Sequence, residues 1–318
     1  MPRISHFHPG RVSYTGFAFS SSVVVGKSVV TSPSMSYPTH TGISSRYPST
    51  STTVNATWAS GTGTYTGNLT NVDSLTISGG TMTVTDNILG TLSTSGAGYI
   101  VVQVDSSSSQ DFSNLSLTAG HETIQFTGNS TFTGNFQNSS VSIDTGVTVI
   151  ADASIVSGKT VSGLGTLSVT NLDAVLSASF TNVNPTTLNV DWSGTNTQTY
   201  LGNLTNVDTL TVTSGTMQVD ANILNAVTTI TNSSTIAITN LEVVPAMDLT
   251  KITGGTVNAD WSGDATFTGN LSSANLTVSS GTMTVTTGTI AGSGTVSVSS
   301  GATISADASK LTGDTIGG

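Results

Sequence analysis

Apolar and hydroxyl-bearing residues alternate in short runs along most of the chain. Leu75-Thr-Ile77, Met82-Thr-Val84, Leu210-Thr-Val212, Met217-Gln-Val219, Leu276-Thr-Val278 and Met283-Thr-Val285 each place two apolar side chains on one face and a polar one on the other. A period of two is the mark of a strand with one buried face. The runs follow one another about every seven residues, separated by Ser-Gly, Gly-Gly and Asn. Those residues tolerate positive φ or replace backbone hydrogen bonds in tight corners. Helix-forming residues at a 3.6-residue period are almost absent, so the pattern predicts brief strands joined by sharp turns.

The runs belong to a larger repeat. Four passages align, beginning at Trp58, Phe126, Trp192 and Trp261, and their Gly-Asn pairs at Gly67-Asn68, Gly134-Asn135, Gly202-Asn203 and Gly269-Asn270 are spaced by 67, 68 and 67 residues. Strands this closely spaced suit an all-β solenoid of the parallel β-helix kind, in which each coil stacks on the last. A 67-residue repeat is then expected to be roughly three coils of about 20 residues. The expected organisation is a distinct segment over 1–50, then repeats over 51–118, 119–185, 186–253 and 254–318. Met82, Met217 and Met283 read as core filler. Trp58, Trp192 and Trp261, with Phe126 in the second copy, read either as packing anchors or as an exposed aromatic row that stacks on sugars. The fourth copy ends in ISADASKLTGDTIGG, an echo of IADASIVSGKTVSG at 150–163. No separate cap is recognisable after it, and open strand edges are usually covered by another chain, so the expected state is a homo-oligomer.

Composition sharpens the contrast between the repeats and what precedes them. The net charge is −10, with 17 acids against 7 basic residues, and only 8% of residues are charged. Such a surface argues against nucleic acid as a partner. Four of the seven basic residues, three of the four His and five of the seven Pro fall in the first 48 positions. Arg3, His6, His8, Arg11, Tyr14, Phe17 and Phe19 are the candidate residues of an attachment segment there, the alternatives for 1–50 being a disordered tail or an N-terminal cap of the solenoid. The N-terminus lacks an apolar run of signal-peptide length and no stretch approaches a membrane span, so neither a conventional export route nor membrane insertion is expected. Cys is absent, which excludes disulfides and thiolate metal sites.

No P-loop, dinucleotide fingerprint, Ser nucleophile elbow or H-E-x-x-H is present. The two Glu, Glu122 and Glu242, lie outside the aligned motifs. Asp73 and Asp208 share a repeat position, and Asp191 and Asp260 each precede a Trp; turn capping is the better reading than Ca²⁺ binding, since no calcium-binding nonapeptide is present. His6 with His8 and His121 beside Glu122 read as surface or structural groups. No enzymatic activity, metal or other cofactor is expected.

At the runs TNVDSLTISGGTMTV and TNVDTLTVTSGTMQV the chain resembles β-helical fibre, spike and decoration proteins of tailed bacteriophages, and more loosely the passenger repeats of autotransporter adhesins. The resemblance covers 51–318 and is one of repeat style, without a diagnostic motif. It implies a structural virion protein, commonly a trimer, whose N-terminal segment binds other virion proteins while the β-repeats project or clamp and contact host surface polysaccharide. The alternatives are a bacterial surface adhesin or extracellular filament subunit, and a polysaccharide-depolymerising tailspike.

Overall fold

The computed structural model describes residues 22–25, 28–31, 55–271, 274–290, 292 and 294–318. Arg3, His6, His8, Arg11, Tyr14, Phe17 and Phe19 of the expected attachment segment lie outside the described residues. The chain divides into two units, 1–128 with 134–142 and 129–133 with 143–318. Each is a β-solenoid of parallel strands.

In the first unit the strands Asn55–Trp58, Ser74–Ile77, Ser93–Gly96 and Leu115–Leu117 stack in register as one column. Thr62–Thr64, Thr81–Thr85, Tyr99–Val104 and Glu122–Phe126 stack as the next. Between the second column and the following coil the chain runs through irregular segments that include the single helical turn Asp86–Leu89 and the 3-10 turn Phe112–Asn114. Within the expected N-terminal segment, Ser22–Val25 pairs antiparallel with both Ser28–Thr31 and Asn55–Trp58, so a hairpin covers the first rung of the first column.

In the second unit the first column contains Thr148–Asp152, the C-terminal halves of Val161–Thr170 and Val183–Trp192, then Thr209–Val212, Thr229–Asn232 and Ile252–Thr253. The second contains Thr197–Tyr200, Thr216–Asp220, Thr235–Thr239, Thr256–Trp261, Asn275–Val278, Thr295–Val298 and Thr315–Gly317. A third holds Ala265–Phe267, Thr282–Val285 and Thr303–Ala306. Leu210, Ile230 and Ile252 succeed one another in the first column and Met217, Ile236 and Val257 in the second, so a coil takes 19 to 22 residues here. Leu210, Ile230, Met217 and Ile236 are all fully buried. The Thr and Ser between them face outward, as the period-two pattern requires.

The repeat and the coil are out of step. Trp192 closes a strand of the first column, whereas Trp261, its counterpart one repeat later, closes a strand of the second. Likewise the Leu210 strand lies in the first column and the Leu276 strand in the second, while the Met217 and Met283 strands lie in the second and third. The first unit makes the same move: Trp58 sits in its first column and Phe126 in its second. One repeat therefore spans three coils and one further side, not the three coils expected from the sequence. The arithmetic behind it is that 67 residues exceed three coils of about 20 by roughly one seven-residue run and turn. For both copies to fill their sites, Leu, Met and Trp must pack equally well on any side of the coil, so the core is quasi-equivalent around its axis.

Tight stacking explains the Gly that precedes Thr-Met in the repeated turn, Gly-Gly-Thr-Met at 79–82 and Ser-Gly-Thr-Met at 214–217. Gly80 has φ +67° and a Cβ there would lie 2.0 Å from the Gly61 carbonyl oxygen of the preceding coil; Gly215, with φ +68°, would place one 2.1 Å from that of Gly194. Only Gly meets both demands, a left-handed backbone and an approach without side-chain room. Three one-turn helices, Asp86–Leu89, Ala153–Val156 and Ala221–Asn225, are not foreseen by the sequence pattern. Four or five residues are too few to show a helical period, and an Asp at or next to the N-cap starts each one.

Candidate functional site

The repeated aromatics are inside the coils. Trp58 is 4% exposed and Trp192 and Trp261 are fully buried, so none of the three offers a ring face to a sugar. Trp192 pairs with Tyr200 and Trp261 with Phe267, each a ring from the following strand, and Phe126 pairs with Phe136 of the turn after the Ser130–Phe132 strand, all edge-to-face at 6.0–6.5 Å. Such pairs add to the burial of area itself. The indole N–H of Trp261 donates to the Gly263 carbonyl at 2.6 Å and that of Trp58 to the Gly61 carbonyl at 3.3 Å. The Trp192 N–H is buried without a partner. Tyr200 donates its hydroxyl to the Ala178 carbonyl at 2.6 Å, and burial pushes its pKa up.

The acids cap backbone. Asp208 accepts from the Leu188 N–H, Asp173 from the Ser193 N–H, and Glu242 from the N–H and hydroxyl of Ser262. Glu122, outside the aligned motifs by sequence, lies in the Glu122–Phe126 strand at an inward position, 6% exposed. There it accepts from the Leu117 N–H at 2.7 Å and the Ser139 hydroxyl at 3.4 Å. Asp152 and Asp220 hold the first N–H groups of the second and third helical turns and also accept from Asn171 and Asn240 one coil later, at 2.8 and 2.7 Å. Both Asn have positive φ, a conformation that Asn tolerates. Partial burial raises the Asp152 carboxyl, but the Ser154 and Asn171 hydrogen bonds outweigh it and leave the pKa below the ordinary range. The Thr250 hydroxyl and N–H lower Asp248 in the same way.

Asp191 is the acid closest to a catalytic character, since burial and then the Asp173 carboxylate raise its pKa. A carboxyl with a raised pKa beside a second carboxylate is the starting point for glycoside hydrolysis. Asp173, however, is engaged at the Ser193 N–H, and its counterpart in the next repeat, Glu242, makes the same contact with Ser262. The recurrence is that of a strand-end cap. No group of three or more metal-ligating side chains exists among the described residues.

The heptapeptide GNLTNVD occurs at 67–73 and again at 202–208, an identity that invites a binding role. The second copy accounts for it otherwise. Gly202 would clash with the Ala178 carbonyl if it carried a Cβ, Asn203 caps the Thr205 N–H, and Leu204 and Val207 are buried. Asn206 at φ +70° donates to the Val183 carbonyl of the coil before, and Asp208 holds the Leu188 N–H. Nearly every position of the loop is fixed by stacking.

Exposed aromatic surface occurs elsewhere, at a place the sequence pattern does not mark. Tyr99 is 48% exposed and stacks on His121 with ring centroids 3.9 Å apart. His121 Nδ1 lies 3.0 and 3.1 Å from the carbonyl oxygens of Ala97 and Gly98; carbonyls only accept, so Nδ1 carries the proton and the ring is fixed. No helix among the described residues is long and apolar enough to cross a membrane. No family model, curated protein or solved structure matches the chain.

Proposed function

We propose that the protein is a non-catalytic structural component of a virion, of the fibre, spike or decoration kind, in which residues 1–50 attach to neighbouring virion proteins and the solenoid projects or clamps. The observation that carries this reading is how the polar groups are used. Asp152, Asp173, Asp208, Asp220, Glu122, Glu242 and Asp248 are committed to backbone N–H groups in turns and between coils, while the outward rows of the strands are mostly Thr, Ser and Asn. Coils tied together in this way make a scaffold that resists unstacking. The resemblance of the repeats to phage fibre and decoration proteins, and the concentration of Pro, Arg, His and aromatics before residue 50, favour a virion over a cell surface. A homotrimer is the proposed assembly, on the same resemblance. Deleting residues 1–21, which keeps the hairpin that covers the first rung, is expected to yield soluble, folded repeats that are missing from purified particles, as read by mass spectrometry. Normal incorporation of the truncated chain contradicts the proposal.

A further inference from the structure

We propose that the outward face around Tyr99 is a binding shelf for a neutral sugar ring of a surface polysaccharide. The inference rests on the structural reading above only in supplying a role for the contact; the geometry stands by itself. Along one outward row of the second column, Thr62, Thr81 and Tyr99 succeed one another in register on adjacent strands. Rungs in such a row are about 4.8 Å apart. One face of the Tyr99 ring is covered by His121. The opposite face looks along the row toward Thr81 and Thr62, whose side chains are too short to cover a phenol ring, and Tyr99 accordingly keeps 48% of its surface exposed. The parallel row is Thr64, Thr83 and Val101. The result is a ring standing proud of a floor of hydroxyls, with its back supported.

That arrangement fits a pyranose. Its C–H face can lie on the open face of Tyr99 while its hydroxyls meet those of Thr62, Thr81 and Thr83, each a donor and acceptor. The outward positions of the Thr62–Thr64, Thr81–Thr85 and Tyr99–Val104 strands are Thr62, Thr64, Thr81, Thr83, Thr85, Tyr99, Val101 and Gln103, with no charge among them. A cationic ligand would find no carboxylate there and an anionic one no counter-charge, so the chemistry selects a neutral ring. His121, locked by two carbonyls, is a positioning residue that holds the aromatic ring upright.

The test uses the full chain on immobilised neutral bacterial surface polysaccharides, with dextran and polylysine as further probes. Wild type is expected to bind at least one neutral polysaccharide, and Tyr99→Ala to weaken it tenfold or more with an unchanged unfolding midpoint. Thr81→Phe, which keeps Tyr99 but fills the shelf, is expected to weaken it as much, and His121→Ala less. Absence of wild-type binding to any neutral glycan overturns the site, as does binding indifferent to both Tyr99→Ala and Thr81→Phe. Tyr99-dependent binding to polylysine in place of the glycans also overturns it. Particle incorporation is scored separately, so loss of the shelf and loss of the virion role are distinguishable.

Discussion

The same side-chain site recurs with different hydrogen bonding, and the difference predicts different sensitivities. Trp192 and Trp261 are both fully buried against an aromatic partner, yet only Trp261 has a partner for its indole N–H. Replacing either by Phe removes similar volume, and Phe126 shows that a Phe can occupy the site. Trp261→Phe also leaves the Gly263 carbonyl without that donor, whereas Trp192→Phe removes an N–H that had been buried at a cost. Trp261→Phe is expected to be the more destabilising by about 1 kcal/mol or more, measured as denaturant midpoints. Equal losses would mean that the indole N–H contributes nothing. The inward place of these rings follows from the period-two pattern, in which Trp192 continues the Leu188, Val190 series. Tyr99 and His121 carry no local signal, since they come together only through the stacking of strands about 22 residues apart.

At the scale of turns and strands, the contact between coils is the controlling feature. Gly215 combines φ +68° with a Cβ position 2.1 Å from a backbone oxygen, whereas Gly158 has φ +71° and nothing within 4 Å. Gly158→Ala is expected to cost about 1 kcal/mol for the backbone alone. Gly215→Ala is expected to cost well over about 2 kcal/mol, because two coils must part, with thermal unfolding as the readout. Acid response belongs to the same contacts. Asp152 and Asp248 have lowered pKa values in the fold, so their contribution is present above the ordinary carboxylate pKa near 4 and is lost as pH falls through their folded values. Burial raises Asp191 and Asp314, Asp191 further through Asp173; these bind protons more readily folded than unfolded, so they favour the fold increasingly as pH falls from neutrality toward about 4. The unfolding temperature is therefore expected to hold level or rise from pH 7 to about 4 and to drop below it. Asp191→Asn is expected to raise it at pH 7 and to flatten the rise; a steady fall across pH 7 to 4 would contradict this balance. Strands and turns were legible because Thr-apolar alternation and Ser-Gly punctuation are local signals. The one-turn helices were not, since their N-caps depend on partners such as Asn171 and Asn240 from the next coil.

At the scale of the molecule, the repeat in each unit ends one side further round than it began. The sequence contained this in its own arithmetic, but rounding 67 residues to three coils of about 20 hid the remainder, and variable coil length conceals it further. The consequence is that, within a unit, equivalent features of its repeats are presented on different sides of the coil. Asn189 and Asn258 occupy equivalent positions before Trp192 and Trp261. Asn189 is followed in its column by Thr209 and Thr229, while Asn258 stands in register with Ala237 in the next column. Because the chain has no Cys, pairs of introduced thiols report the register directly. Under mild oxidation Ala237→Cys with Asn258→Cys is expected to form an intramolecular disulfide and Thr229→Cys with Asn258→Cys to remain reduced. The reverse outcome, with 229 and 258 linked, would place the repeats in phase with the coils and contradict the one-side step.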